Sequence, residues 1–303
     1  MKIEANGLRL EVEDSGGGGP VVLLVMGLGG QLIHWPAPLV RALVDAGYRV
    51  VRFDNRDAGL STHMSALGAP AIPWVAAQAW LGRRPRVPYM LADMADDALG
   101  VLDGLGIGQA HVVGLSMGAM IAQRIALAAP ARVLSLTSIM GSSGNPRLIR
   151  PRPAVMRVAA SRGRAVGDEA LRRYYTRFFK AISSPVFPPT DAQLDDIFRR
   201  TAQRHSPRAD AMQRQVAAIL ADGERAALLS RIQLPTLVLH GAEDPWVPPA
   251  CGRDTARRIP GACLHLVPDM AHDLVPVGHP EIVRRVLAVL LPFLRAPAAA
   301  EAA

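Results

Sequence analysis

A serine flanked by glycines lies in the segment Gly114-Leu115-Ser116-Met117-Gly118, between an apolar run and a helical pattern. A Gly-x-Ser-x-Gly motif in that setting is typical of a nucleophile elbow, a sharp turn that connects a strand to a helix. The glycines suit such a turn, because side chains at their positions would collide with the neighbouring strand or helix. Ser116 is therefore predicted to be a nucleophile.

A serine nucleophile needs a base to remove its proton, and the base needs an acid to orient it. In hydrolases with a nucleophile elbow the chain order is serine, acid, histidine. Asp244 follows a predicted strand at Leu234 to Leu239, and His272 follows another at Cys263 to Val267. Both residues therefore lie on loops at the carboxyl edge of the predicted sheet, where ligands bind in open α/β sheets.

Other carboxylates compete with Asp244 for the orienting role. Glu243 is adjacent to it, but a turn directly before proline favours aspartate at the last position. Asp269 and Asp273 flank the histidine in sequence, whereas the orienting acid should come from a different strand end. They are better explained as loop-capping or solvated groups, so Asp244 is the preferred candidate.

Acyl transfer to a serine also requires two backbone N–H groups aimed at the developing negative charge. Met117, the residue after the nucleophile, begins a predicted helix whose dipole favours an anion. A second donor is expected from the loop Val25-Met26-Gly27-Leu28-Gly29-Gly30, and Leu28 is the candidate. That loop lacks the spacing of a nucleotide-binding glycine loop, and no Walker-type lysine follows it.

Strand-like and helix-like segments alternate along the chain, which predicts a largely parallel sheet with helices on both faces. The first predicted strand, Leu8 to Glu13, is expected at the edge of the sheet. Residues 142–231 break the alternation with several helical patterns and no strand. An insertion there would lie above the carboxyl edge of the sheet, so it is predicted to be a helical lid. The expected division is an α/β core of residues 1–141 and 232–303, with 142–231 as the lid.

The net charge of +8 is concentrated in one part of the chain. Residues 142–231 contain 17 Arg or Lys and only 8 Asp or Glu. A solvated, arginine-rich set of helices explains this excess, and attraction of an anionic substrate is the alternative. Nucleic-acid binding is not expected, because no basic stripe interleaved with aromatic residues accompanies the charge.

Several other classes of protein find no support in the sequence. No apolar run reaches the roughly 18 to 20 residues of a membrane-spanning helix. The start, Met1-Lys2-Ile3-Glu4, lacks the layout of a signal peptide, so a cytoplasmic protein is expected. No cofactor is expected, and no residue cluster has the spacing of metal ligands. The tail Ala296 to Ala303 is low in complexity and is expected to be disordered. The oligomeric state is open, with a homodimer as one option.

With these motifs the chain resembles the α/β-hydrolase superfamily over essentially its full length. The elbow, the glycine loop after the first buried strand and the segment Phe53-Asp54-Asn55-Arg56-Asp57-Ala58-Gly59-Leu60-Ser61 carry the resemblance. The family more often has histidine at the position of Met26. Methionine at this position is similar to the branch of aclacinomycin methylesterase-like esterases. The resemblance implies the α/β-hydrolase fold, with an eight-stranded, mostly parallel sheet and a helical lid, and a serine carboxylesterase activity. Asp54 and Arg56 are expected to form a buried ion pair.

The leading hypothesis is therefore a serine hydrolase that cleaves a small carboxylic ester carrying an apolar group. Ser116 would form the acyl-enzyme, with His272 as base and Asp244 as orienting acid. A carbon–carbon bond hydrolase or cofactor-free perhydrolase with the same three residues is the alternative, as is a ligand receptor without turnover. The candidate substrate-binding residues are Gly27, His34, Trp35, Phe178, Phe179 and Trp246; further aromatic candidates for the pocket wall are Trp74, Trp80, Tyr174, Tyr175 and Phe187.

Overall fold

The computed structural model describes residues 1–164 and 167–296. Residues 297–303 of the predicted tail lie outside the described residues, as do residues 165–166 of the helical segment 142–231. In the described part of the chain, one eight-stranded sheet forms the centre of the molecule. Its strands are β1 (Lys2–Ala5), β2 (Leu8–Asp14), β3 (Val21–Val25), β4 (Arg49–Phe53), β5 (Ala110–Leu115), β6 (Val133–Ile139), β7 (Thr236–Gly241) and β8 (Cys263–Val267).

The strands lie side by side in the order β1-β2-β4-β3-β5-β6-β7-β8. The pairs β1–β2 and β2–β4 are antiparallel, and every later pair is parallel. The predicted sheet is thereby confirmed, but the edge assignment of Leu8 to Glu13 is wrong. β1 pairs outside β2, from Lys2 opposite Glu11 to Ala5 opposite Leu8. A strand of four residues is too short to show a clear alternation in sequence.

Helices cover both faces of the sheet and fill the segment between β6 and β7. The helices are α1 (Ala37–Asp45), α2 (Ile72–Trp80), α3 (Leu91–Gly104), α4 (Met117–Ala128), α5 (Pro153–Ala160), α6 (Asp168–Ile182), α7 (Asp191–Arg204), α8 (Ala209–Ala221), α9 (Arg225–Leu228), α10 (Pro249–Arg258) and α11 (Pro280–Arg295). No helix of the described residues is both long and apolar enough to cross a bilayer.

The hydrophobic core is split by the sheet into two layers. All five side chains of β3 are buried, and they alternate between the layers. Leu23 packs with the cluster that contains α3 and α4 residues, whereas Leu24 packs with residues of α1 and α11. Because neighbouring strand residues point to opposite faces, only a strand covered on both sides is apolar throughout. β3 therefore lies at the centre of the sheet, and the parallel strands β3, β5, β7 and β8 all end at the same edge of it.

The loop after β4 is held by other contacts than the ion pair predicted from the sequence. Asp54 and Arg56 do not form an ion pair with each other. Asp54 accepts hydrogen bonds from the backbone N–H groups of Leu32 at 2.6 Å and Leu60 at 2.9 Å. Arg56 instead forms a bidentate pair with Asp97 of α3, with both contacts at 2.6 Å. Each side chain thus has its partners on other segments, so closeness in sequence did not make the two residues an ion pair.

The helical segment 142–231 is anchored to the sheet through α8. Arg214 and Asp57 are fully buried and form a bidentate ion pair with both contacts at 2.8 Å. The Tyr89 hydroxyl donates a further hydrogen bond to Asp57 at 2.8 Å. Buried charges need such satisfied geometry, because desolvation of an unpaired ion costs several kcal/mol. The pair therefore fixes α8 against the loop that follows β4.

Candidate active site

Ser116 lies at a sharp turn between β5 and α4. Its backbone has φ 55° and ψ −117°, a strained conformation for a residue with a side chain. Close packing explains the flanking glycines. A Cβ atom on Gly114 would lie 2.1 Å from the Gly118 carbonyl oxygen, and one on Gly118 would lie 2.0 Å from the Val25 carbonyl oxygen. The strand, turn and helix thus have the geometry that the sequence motif predicts.

A chain of hydrogen bonds joins Ser116 to two residues from distant parts of the sequence. His272 Nε2 lies 3.0 Å from Ser116 Oγ, and His272 Nδ1 lies 2.7 Å from Asp244 Oδ2. Both partners are on loops at the carboxyl edge of the sheet, after β8 and β7. An ionised carboxylate accepts only, so Nδ1 carries the proton and Nε2 is free to accept the serine proton. This arrangement can activate a serine hydroxyl.

The competing carboxylates occupy other positions. Glu243 is exposed. Asp269 contacts Arg285 at 2.9 Å, on the side of α11. Asp273 accepts backbone hydrogen bonds from Ser184 and Ala271 at 2.7 and 3.0 Å. Of the four carboxylates, it is Asp244 that hydrogen-bonds to the imidazole.

Asp244 is held ionised by its surroundings. Burial on its own raises the pKa of this carboxyl, but electrostatic attraction to the His272 ring and hydrogen bonds from His272 and His240 outweigh it and lower the pKa to about 2. The other carboxylate oxygen accepts from the backbone N–H groups of Trp246 at 2.9 Å and Val247 at 2.8 Å. His240 donates from Nε2 to the Val247 carbonyl oxygen at 2.8 Å, which fixes the same loop.

The two predicted oxyanion donors, Met117 and Leu28, belong to segments that lie next to Ser116 in the structure. Met117 is the first residue of α4, and the first N–H groups of a helix have no partner within the helix. Leu28 lies on the loop after β3, which approaches the elbow so closely that a Cβ on Gly27 would lie 3.2 Å from the Ser116 Cβ. The described residues supply no acceptor for the Leu28 N–H, whereas Gly30 N–H donates to the Gly27 carbonyl at 3.1 Å.

The glycine loop is held from two sides by amide side chains. Asn55 Nδ2 donates to the Met26 carbonyl oxygen at 2.8 Å. On the other side Gln215 of α8 accepts from the Gly29 N–H at 2.8 Å and donates to the Arg56 carbonyl oxygen at 2.8 Å. Gln215 is fully buried. Sequence reasoning missed both residues, because Gln215 is 186 positions from its partner and no local motif marks it.

The Ser116 and His272 side chains open into a cavity of about 400 Å³ that is walled mainly by apolar residues. Aromatic side chains of α6 form much of the wall on the side of the helical segment. Phe178 packs edge-on against Trp246, with ring centroids 5.5 Å apart. A cavity of this size fits a medium-sized organic molecule. The predicted residues that line it are Gly27, Leu28, His34, Ser116, Tyr174, Tyr175, Phe178, Phe179, Trp246 and His272.

The remaining aromatic predictions are wrong. Trp35 is 1% exposed and packs in the core layer with α1 and α11 residues, directly before Pro36, the N-cap residue of α1. Trp74 and Trp80 of α2 face solvent instead of the cavity. Phe187 stacks on His279 at a ring distance of 4.5 Å, beside a separate small cavity. Aromatic residue type alone did not distinguish core, surface and cavity positions.

His34 lines the cavity but is also bonded within the loop. The Gln31 N–H donates to His34 Nδ1 at 3.2 Å, so the proton is on Nε2, which donates to Thr201 Oγ1 at 2.8 Å. Burial, followed by the positive charges of Arg204 and Arg200, lowers the pKa of His34 to about 4. His34 is therefore neutral at neutral pH and joins the core to α7.

Comparison with known proteins identifies the family. Residues 20–278 match the model of the alpha/beta hydrolase fold family. The chain belongs to this family. The rhodomycin D methylesterase of Streptomyces peucetius is 30% identical over 88% of this chain and 89% of its own length. A putative carbamate hydrolase of Variovorax paradoxus is 30% identical over 84% of this chain and 85% of its own.

The structural comparison agrees with this family assignment at the level of the fold. An esterase from Exiguobacterium antarcticum superposes with a TM-score of 0.72, at 20% identity, and the match covers 98% of this chain and 99% of that one. The resemblance stated from the sequence is therefore confirmed for the family and the fold. The protein is an α/β-hydrolase with methylesterase and carbamate hydrolase relatives.

Proposed function

We propose that the protein is a serine hydrolase that cleaves a carboxylic ester through an acyl-enzyme on Ser116. The observation that carries this proposal is the hydrogen-bonded chain from Ser116 through His272 to Asp244, which opens into the cavity. Ester cleavage is favoured among α/β-hydrolase reactions because the relative from Streptomyces peucetius is a methylesterase. The apolar wall favours an ester with an apolar body.

In the proposed reaction Ser116 Oγ attacks the ester carbonyl carbon while its proton passes to His272 Nε2. Asp244 keeps the imidazole oriented and stabilises the imidazolium that forms. The N–H groups of Leu28 and Met117 donate to the oxyanion of the tetrahedral intermediate. His272 then protonates the leaving alcohol, and a water molecule, deprotonated by the same imidazole, hydrolyses the acyl-enzyme.

The helical segment 142–231 is proposed to act as the lid of this site. It contributes the aromatic side chains of α6 to the cavity wall, and the Arg152 backbone N–H donates to the Pro245 carbonyl oxygen, next to Asp244, at 2.8 Å. The backbone N–H of His272 donates to the carbonyl oxygen of Ile182, the last residue of α6, at 3.0 Å. Closing a site in this way excludes water and strengthens the electrostatic interactions inside it.

The test is hydrolysis of a chain-length series of p-nitrophenyl esters and of methyl esters of apolar acids, by the wild type and by Ser116→Ala. We expect sustained turnover by the wild type, and loss of nearly all turnover in the variant with no change in its melting temperature. A single stoichiometric burst would favour a receptor. No cleavage of any ester would favour carbon–carbon bond hydrolysis by the same residues.

A further inference from the structure

Helix α2 exposes an apolar face that nothing in the described structure covers. Trp74, Ala77, Trp80 and Leu81 are spaced so that they lie on one side of the helix and its last turn. The exposed fractions are 64% for Trp74, 81% for Trp80 and 59% for Leu81. Val75, on the opposite side, is buried. Large exposed apolar patches of this kind mark interaction surfaces, because leaving them in water is unfavourable.

Arginines follow this face directly, in the sequence Gly82-Arg83-Arg84-Pro85-Arg86. All three arginines are exposed. Arg84 pairs with Glu224, whereas neither Arg83 nor Arg86 forms an ion pair within residues 1–164 and 167–296. The apolar face thus ends in a positively charged rim that is free to meet an anionic partner.

The exposed face lies beside the entrance to the cavity. Ile72, in the first turn of α2, is one of the cavity-lining residues. Met156 of α5 also lines the cavity and is 46% exposed, so the apolar lining continues to the surface. α2 itself packs against α8, which contributes further cavity residues. A ligand leaving an apolar phase at α2 would therefore have a short apolar path to Ser116.

We propose that α2 and the following residues 81–86 dock on a lipid bilayer that contains anionic phospholipids. Tryptophan favours the boundary between headgroups and acyl chains, and a helix with tryptophan and leucine on one side can lie in that boundary. Arginines at its edge are attracted to the negative surface of such a bilayer. Docking would place the cavity entrance at the surface in which apolar esters dissolve.

The arginine rim favours a bilayer over a second copy of this chain. A symmetric dimer buries the same patch on both subunits. Arg83 and Arg86 of the two copies would then lose water together without gaining an opposite charge, which is costly. An anionic bilayer neutralises the same residues.

The experiment is co-sedimentation of the full chain with vesicles of phosphatidylglycerol and, in parallel, of phosphatidylcholine, without any substrate. Because binding is read without turnover, its outcome does not depend on the esterase proposal. The variants are Trp74→Ala/Trp80→Ala and Arg83→Ala/Arg86→Ala. The matched control is Arg41→Ala/Arg253→Ala, which removes two exposed arginines from α1 and α10.

We expect binding to phosphatidylglycerol vesicles only, and weaker binding as salt is raised. Removing both rim arginines should weaken binding about 25-fold, at about fivefold for each arginine, while the control binds as the wild type does. The tryptophan variant should lose binding but keep the wild-type melting temperature. No sedimentation with phosphatidylglycerol overturns the proposal. So does a concentration-dependent dimer that the tryptophan variant abolishes, since it would show that a second copy covers this face.

Discussion

Gln215 of α8 binds the backbone N–H of Gly29, the residue next to the proposed oxyanion donor Leu28, at 2.8 Å. A side chain of the helical segment 142–231 therefore holds the glycine loop that approaches Ser116. The same residue fixes the Arg56 carbonyl, and its neighbour Arg214 is locked to Asp57. Helix α8 is thus part of the framework of the site, in addition to contributing wall residues as α5 and α6 do.

Gln215→Leu should lower kcat by up to about a hundredfold with little change in KM, because a displaced oxyanion donor weakens binding of the transition state more than of the substrate. Gln193→Leu, on the exposed start of α7, is the control and should keep the wild-type kcat. Steady-state kinetics on one ester measures both. An unchanged kcat in a folded Gln215→Leu protein would show that the loop needs no support from α8.

Asp244→Asn should reduce kcat by about 10⁴, because an amide in place of the carboxylate favours the wrong tautomer of His272. Glu243→Gln is a matched control, since it makes the same change at the adjacent exposed residue. That variant should keep wild-type activity. A larger loss of kcat in Glu243→Gln than in Asp244→Asn would show that Glu243, and not Asp244, orients His272.

His34 should make the protein sensitive to acid. Its pKa is about 4 in the folded state against 6.5 in the unfolded chain, so the unfolded state binds more protons between these values. Stability is therefore lost as pH falls from 6.5 to 4, by about 3 kcal/mol for this residue. Urea unfolding at several pH values should show a shallower loss for His34→Gln than for the wild type. His265→Gln, on β8, should keep the wild-type slope, and an identical slope in His34→Gln would refute the assignment.

The buried pair of Arg214 and Asp57 should be among the most important for stability. Arg214→Met leaves the Asp57 carboxylate without its cation, and breaking a buried pair in this way costs about 3–5 kcal/mol. Arg173→Ala removes a pair with Glu169 that is exposed on both sides, so it should destabilise the protein far less than Arg214→Met does. Equilibrium unfolding in urea compares the two. Similar losses in both variants would show that burial of the pair does not matter.

The parts of the site that the sequence predicted depend on local signals. The glycines around Ser116 mark a turn with no room for side chains, and Asp244 and His272 each follow a strand whose apolar run is visible in sequence. Parallel strands bring the loops that follow them to one edge of the sheet. The sequence alone therefore predicts that Ser116, Asp244 and His272 lie close together. Tyr174, Tyr175, Phe178 and Phe179, which were candidates for the pocket wall by residue type, do line the cavity from α6.

The parts that were missed depend on contacts between distant segments. Gln215 and Gly29 meet only because α8 packs over the loop after β3. Arg56 was expected to pair with its neighbour Asp54, but it reaches Asp97 on α3. Trp35 and Trp80 are the same residue type, yet one is in the core and the other is exposed. Such differences arise from packing between elements and leave no local pattern.

The most direct test of the central proposal is detection of the acyl-enzyme itself. The protein is mixed with a p-nitrophenyl ester, quenched in acid during the first turnovers, digested and analysed by mass spectrometry. We predict an acyl group on the peptide that contains Ser116, formed in step with the burst of p-nitrophenol and absent in Ser116→Ala. Sustained hydrolysis without any adduct, or undiminished hydrolysis by the variant, would contradict the proposed mechanism.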